Sequence, residues 1–164
     1  MSVWSFWYFG DQAKLGVPFE VGEEIVIDKR AGSYFYVTFL PSKLGGATFY
    51  LTGLRDSDGN LLIGKDTYNL NVPADVPAKD FWSAIVYNME TKNFNRGVDR
   101  VGASTKDLGK MVKNADGSVD VYYAPNLDKV PEGFEANWVT TESATNANDW
   151  FFLFRLYRPE TKDW

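Results

Sequence analysis

Three charged side chains in the middle of the sequence could bind an anion or a sugar. Arg96, Asp99 and Arg100 lie in the segment 89–114, which is rich in charge and poor in aliphatic residues. An arginine guanidinium is a planar fork of donors that can grip an anionic oxygen pair. The alternative is a loop anchored by ion pairs. A connection this long inside a compact domain is either functional or mobile, so this segment is the first place to look for a site.

A second candidate is the pair Asn137–Trp138, which follows a stretch rich in proline and glycine, 125–133. A polar and an aromatic side chain beside a loop could form the rim of a ligand groove. Alternatively, the Asn137 amide holds loop backbone and Trp138 plugs the loop. Trp82 could stack on a sugar or an apolar ligand, but on a strand of this kind we expect it to pack in the core. The predicted ligand-binding set is therefore Arg96, Asp99, Arg100, Asn137 and Trp138.

Most familiar catalytic chemistry is excluded by composition. The sequence has no histidine and no cysteine, which removes catalytic triads that use histidine, thiolate nucleophiles and zinc clusters. A pair of carboxylates could still hydrolyse a glycoside, but 22 acidic residues nominate no particular pair. The acidic turn 55–60 does not fit a calcium loop, because Gly59 is fourth and Thr67 twelfth when counted from Asp56. We predict no catalytic residue, no metal and no cofactor.

Charge and hydropathy limit the partners and the compartment. The net charge is −5 and no basic cluster occurs, which argues against nucleic acid and anionic membranes. No apolar run approaches the roughly 18 residues of a membrane span. The aromatic segment 4–9 lacks a preceding basic residue and does not resemble a signal peptide. We expect a soluble protein, cytoplasmic or, if the chain is a fragment of a longer exported protein, periplasmic.

The elements that must position these residues are short strands. A length of 164 residues predicts a single domain, 1–164. A short helix over 105–112, capped by Ser104, is the main helical signal, and Gly109 weakens it. The nearly continuous apolar run 150–157 predicts a central strand buried on both faces. The pattern indicates an all-β fold, an antiparallel β-sandwich or barrel. Predicted strands lie at 4–9, 24–27, 33–39, 48–54, 61–63, 67–72, 81–88, 119–123 and 150–157.

An ordered set of short motifs resembles the DUF1214 family over about residues 49–159. The resemblance implies a jelly-roll-like β-sandwich, a mostly bacterial family, and a common position C-terminal to a DUF1254 domain, with no established reaction. The chain has no room for that preceding domain, so the resemblance implies a stand-alone member or a fragment. The motifs are Asp58–Gly59–Asn60, Gly64, Tyr68, Val72–Pro73, Pro77, Phe81–Trp82–Ser83, Tyr87, Asn114–Ala115–Asp116–Gly117–Ser118–Val119, Asn137–Trp138 and Phe154–Arg155–Leu156–Tyr157–Arg158–Pro159.

Three functional hypotheses remain open from sequence. The first is a non-catalytic module that binds a saccharide or a small apolar ligand, and the absence of histidine and cysteine motivates it. The second is a structural domain that assembles with a DUF1254-like domain or with itself as a homo-oligomer, in which the aromatic segment 4–9 could form the contact. The third is a carboxylate-based hydrolase.

Overall fold

The computed structural model describes residues 48–95, 97–142 and 150–160, together with two short strands near the N-terminus. Those strands are β1 (Glu20–Val21) and β2 (Glu24–Ile25), which pair antiparallel with each other. The second coincides with the start of the strand predicted at 24–27. The strands predicted at 4–9 and 33–39 lie outside the described residues.

Seven further strands in the described ranges form the body of the domain. Three single turns of 3-10 helix lie in the connections after β6 and β7, at Thr105–Asp107, Leu127–Lys129 and Glu135–Asn137. In chain order the strands are β3 (Thr48–Gly53), β4 (Tyr68–Val72), β5 (Ala78–Asn88), β6 (Gly102–Ser104), β7 (Val119–Ala124), β8 (Trp138–Thr140) and β9 (Trp150–Pro159).

The larger sheet has four antiparallel strands in the order β3-β9-β5-β6. β9 therefore lies between β3 and β5, as its continuous apolar run predicted. Its side chains alternate between the two faces of the sheet, and Leu153 and Leu156 on opposite faces are both 0% exposed. The prediction of a central strand buried on both faces is confirmed.

The smaller sheet has three strands in the order β4-β7-β8. β4 pairs antiparallel with β7, but β8 runs parallel to β7. This parallel pair is a local departure from the predicted antiparallel pattern. The connection 125–137 explains the difference, since a parallel neighbour requires a crossover of about a dozen residues rather than a tight hairpin.

The two sheets pack face to face around one hydrophobic core. Trp82 is 5% exposed and its ring stacks on Phe154 with 5.4 Å between centroids, which confirms the expected packing role. The all-β, sandwich-like class is confirmed, while the jelly-roll-like connectivity stays a prediction. The larger sheet contributes Phe49, Trp82, Ala84, Val86, Phe152, Phe154 and Leu156 to this core, and the smaller sheet contributes Leu70, Val72, Val119, Val121, Tyr123 and Val139.

Two local predictions differ from the structure. The predicted helix over 105–112 is a single 3-10 turn, preceded by β6 and capped at Ser104. The Thr105 hydroxyl accepts the backbone N–H of Trp82 at 3.0 Å and ties this turn to β5. Gly109, with its high backbone entropy, does not support a longer helix. The strand predicted at 61–63 is reduced to isolated bridge residues at Leu61 and Ile63, of which Leu61 pairs with Arg55.

No helix in the described ranges is long and apolar enough to cross a membrane.

Candidate functional site

An open cavity of about 630 Å³ lies beside β4, between this strand and the connection from β3 to β4. Its volume is in the range of small-molecule sites in proteins. Four aromatic side chains, Tyr68, Tyr123, Trp150 and Phe152, form an aromatic floor. The segment Thr67–Asn71 forms one wall, and the turn residues Arg55, Asp56 and Ser57 form the rim, with Leu62 completing the lining.

The register of three strands brings the aromatic floor together. Tyr68 on β4 lies opposite Tyr123 on β7, and Trp150 and Phe152 share one face of β9. The Tyr123 ring centroid is 5.0 Å from that of Trp150 and 5.4 Å from that of Phe152. Tyr68 meets Trp150 edge-on at 5.7 Å. These contacts pack the four rings against one another, and Tyr68 is half-buried whereas Tyr123, Trp150 and Phe152 are buried.

Two polar groups are buried within the aromatic floor. The Tyr123 hydroxyl and the Trp150 indole N–H have no hydrogen-bond partner in the part of the chain that the structure describes. Burial raises the pKa of Tyr123 far above its ordinary value, so the hydroxyl stays neutral. An unsatisfied buried polar group costs about 1–3 kcal/mol, and such groups also occur away from the cavity, for example at Thr52 and Ser83.

The wall along β4 presents neutral polar groups. Asn69 and Asn71 are exposed, whereas Leu70 between them faces the core. The Asn71 amide donates to Asp120 at 2.9 Å and to Ser118 at 3.2 Å. The Tyr68 hydroxyl accepts the backbone N–H of Ile63 at 2.9 Å, which fixes the loop that leads into β4. Burial raises the pKa of Tyr68 as well.

The rim is an Asp-Gly turn in which the charged side chains of Arg55 and Asp56 form hydrogen bonds within the turn itself. The Asp56 carboxylate accepts the backbone N–H groups of Asn60 at 2.8 Å and of Asp58 at 2.9 Å. These hydrogen bonds, that from Asn60 first, lower the pKa of Asp56. The Arg55 guanidinium donates to the Gly59 carbonyl at 2.7 Å, and Gly59 has the positive φ of +86° that the turn needs. The predicted turn is confirmed. No group of three metal-ligating side chains occurs among the described residues.

Arg100 is placed as a loop anchor. Its Nη1 donates to the carbonyls of Ala136 at 2.6 Å and Trp138 at 3.0 Å, and its Nε donates to the Gly102 carbonyl at 3.0 Å. Its Nη2 lies 3.9 Å from the Asp107 carboxylate. Arg100 thus joins the segment before β6 to the start of β8. Arg100 therefore anchors loop backbone, mostly through carbonyl groups, whereas the alternative predicted ion pairs.

The side chains of Asn137 and Trp138 also form hydrogen bonds with backbone groups. Asn137 is fully buried, and its Oδ1 accepts the Val112 N–H at 2.7 Å. Its Nδ2 donates to the carbonyls of Val112 at 2.9 Å and Asp120 at 2.8 Å. The Trp138 indole N–H donates to the Ala124 carbonyl at 3.0 Å, and the ring is half-buried. The part of the structural alternative that gives Asn137 to loop backbone is confirmed.

The described members of the predicted ligand-binding set do not lie in the cavity. Asp99 is exposed, and Arg96 lies outside the described residues. Asp99, Arg100, Asn137 and Trp138 are not among the residues that line the cavity. A ligand contact by these residues stays a prediction.

The cavity was missed because its floor residues look like core residues in sequence. Tyr68 and Tyr123 occupy inward positions of alternating strands, and Trp150 begins an apolar run. The available signal was the concentration of aromatic residues at strand ends next to an Asp-Gly turn. That pattern does not indicate which residues come together in the fold, since Tyr68, Tyr123 and Trp150 are far apart in the chain.

Comparison with known proteins places the chain in a family. A family model described as "Protein of unknown function (DUF1214)" matches residues 47–161. The solved structure of the VPA0106 protein from Vibrio parahaemolyticus is similar in fold, with a TM-score of 0.57, 18% identity, 77% of this chain covered and 29% of that chain. An uncharacterised protein from Burkholderia cenocepacia aligns at a TM-score of 0.47 and 19% identity, over 75% of this chain and 30% of that chain.

This chain therefore spans less than a third of the length of either solved structure. No curated protein matches it. The family match covers most of the chain, including every strand from β3 to β9. The chain belongs to the DUF1214 family, whose function is unknown.

Proposed function

We propose that this domain binds a small neutral ligand, a saccharide or a small apolar compound, in the cavity beside β4, without transforming it. The observation that carries the proposal is the aromatic floor of Tyr68, Tyr123, Trp150 and Phe152 in a cavity of about 630 Å³. Ligand sites are typically apolar concavities with a few polar groups that fix orientation.

The chemistry of the wall supports a neutral ligand. Flat apolar faces of a ligand gain by packing on aromatic rings. Thr67, Asn69 and Asn71 are exposed beside the floor and offer hydroxyl and amide groups, which can both donate and accept hydrogen bonds. The charged groups of Arg55 and Asp56 are occupied within their own turn. This combination of a stacking surface and neutral hydrogen-bonding groups suits a sugar ring.

Hydrolysis is supported less well at this cavity. A glycosidase mechanism needs two carboxyl groups, one of them protonated to act as the general acid. Among the described lining residues, Asp56 is the single carboxylate. Its lowered pKa keeps it ionised, so it is a poor proton donor. We therefore favour binding over catalysis here.

A panel of saccharides and small apolar metabolites, read by thermal shift and then by calorimetry, tests the proposal. Thr67→Phe places an aromatic ring at an exposed wall position and should weaken any hit at least about tenfold, since a filled site excludes the ligand. Asn126→Phe is the matched control, because Asn126 is exposed and makes no side-chain capping bond. A panel without hits on folded protein, or hits indifferent to Thr67→Phe, would contradict the proposal.

A second candidate is assembly with a further domain, and one observation favours it. The structurally similar VPA0106 protein is much longer, and this chain covers only 29% of it. We infer that a DUF1254-like domain could pack against this one, as the family resemblance implies. Co-purification of the two as separate chains in a one-to-one complex is the expected result. Two independent monomers at micromolar concentrations would contradict this candidate.

A further inference from the structure

Two turns of the domain contain the same dipeptide, Asp-Gly, and have nearly the same backbone. Gly59 and Gly117 have φ angles of +86° and +84°. The Gly59 N–H donates to the Asp56 carbonyl at 3.2 Å. In the second turn, the Gly117 N–H donates to the Asn114 carbonyl at 2.9 Å. The sequence contains no other Asp-Gly pair and no Asn-Gly pair, so these turns can be compared directly.

An aspartate that precedes glycine can rearrange, because glycine has no Cβ to obstruct attack by its nitrogen on the aspartate side chain. The nitrogen bonds to the side-chain carboxyl carbon, and the amide proton leaves with the carboxyl hydroxyl group as water, which closes a succinimide ring. Water then opens the ring at either carbonyl. Opening at the main-chain carbonyl gives isoaspartate, and opening at the other restores aspartate. Water is lost and regained, so no further reactant is needed.

The Asp58 carboxylate has no contact that would hold it away from the Gly59 nitrogen. Its side chain is exposed and makes no hydrogen bond or ion pair with the part of the chain that the structure describes. The carboxylate that organises this turn is Asp56, which accepts the N–H groups of Asp58 and Asn60. Asp58 can therefore rotate toward Gly59 without breaking a side-chain interaction.

In the second turn, the aspartate of the Asp-Gly pair is itself the organising carboxylate. Asp116 Oδ1 accepts the Ser118 hydroxyl at 2.6 Å and the Ser118 N–H at 3.0 Å. Ser118 is buried, and its hydroxyl oxygen also accepts the amides of Asn71 and Asn114. The hydrogen bond from the Ser118 hydroxyl, and then that from its N–H, lower the pKa of Asp116. Less of this carboxyl group therefore carries the proton that makes its carbon a good electrophile.

We propose that Asp58–Gly59 is a site of isoaspartate formation in the folded protein, whereas Asp116 is protected by its hydrogen bonds to Ser118. Isoaspartate adds one methylene group to the main chain after the Asp58 N–H and before the Asn60 N–H. The spacing of the two donors that Asp56 holds then changes. Because Asp56 lines the cavity beside β4, the modification reshapes the cavity rim. The inference does not depend on whether the cavity holds a ligand.

Incubation of the full chain at neutral pH, once folded and once in guanidinium chloride, tests the proposal. Trypsin releases the two sites in separate peptides, 56–65 and 114–129, and mass spectrometry with electron-transfer fragmentation distinguishes isoaspartate from aspartate. In the folded chain, isoaspartate should form at Asp58 about tenfold faster than at Asp116 or more, since Asp116 must first release two hydrogen bonds. In denaturant, the turns are lost and the two rates should agree within about twofold.

A pair of substitutions separates the role of Ser118 from that of the local sequence. Ser118→Ala removes the hydroxyl donor and should raise the rate at Asp116 several-fold without changing that at Asp58. Ser57→Ala is the matched control, because it gives Asp58 the same preceding residue as Asp116 has and should change neither rate. Circular dichroism verifies that each variant is folded.

Three results would overturn the proposal. One is isoaspartate at Asp116 that forms as fast as at Asp58 in the folded wild type. Another is a folded chain without isoaspartate at Asp58, although the denatured chain forms it at both sites, which would show that the first turn is also protective. The third is a preference for Asp58 that persists unchanged in denaturant, which would assign it to the sequence rather than to the fold.

Discussion

Replacing Asn137 by alanine tests the role that the structure gives to this buried amide. Asn137 is 0% exposed and satisfies three backbone groups: the N–H and C=O of Val112 and the C=O of Asp120. Each buried group left without a partner costs about 1–3 kcal/mol, and neighbouring losses are not fully additive. We therefore expect Asn137→Ala to lower the free energy of unfolding by roughly 3–5 kcal/mol, a large share of the stability of a domain this size.

Urea unfolding followed by circular dichroism measures this loss. Asn126→Ala is the matched control, since Asn126 is exposed and makes no side-chain capping bond, and it should change the unfolding free energy by less than about 0.5 kcal/mol. A loss below about 1 kcal/mol for Asn137→Ala would refute the reasoning, because it would mean that the three backbone groups find other partners. Asn137 would then be free for the ligand role that its sequence context also suggested.

Two further predictions follow, one from local geometry and one from charge. Gly53→Ala should destabilise the domain by about 1–3 kcal/mol in the same urea assay, since the added Cβ would overlap the Phe152 ring, whereas Gly109→Ala meets no atom within 4 Å and should be neutral or stabilising. Asp116 accepts the Ser118 hydroxyl and N–H, which lower its pKa, so it contributes stability above about pH 4 that is lost as the pH falls through its folded pKa. In Asp116→Asn, the unfolding free energy should therefore fall less between neutral pH and about pH 3 than it does in the wild type. An unchanged acid transition would contradict this role for Asp116.

Local patterns in the sequence predicted the elements well where burial alone decides structure. The apolar run 150–157 indicated a central strand, and β9 is one. The two Asp-Gly turns form with positive φ at Gly59 and Gly117. Trp82 packs in the core as expected. In each case the physical cause acts within a few residues of the chain or through hydrophobicity itself.

Features that depend on the partners of a segment were not predictable. The parallel pairing of β8 with β7 follows from where the connection 125–137 returns the chain. The role of Arg100 depends on carbonyls of the distant residues Ala136 and Trp138. The cavity exists because β4, β7 and β9 bring their aromatic residues to one place, although each residue alone is typical of a core.

The central claim is that the aromatic floor beside β4 is a ligand site. The indole N–H resonance of Trp150 reports on that floor, and Trp150→Phe assigns it among the six tryptophans of the chain. During titration with the best saccharide or apolar compound from the panel, we predict that the Trp150 resonance shifts and saturates. The Trp138 resonance, outside the cavity, should stay in place. A bound compound that leaves the Trp150 resonance unmoved and shifts the Trp138 resonance would contradict the account.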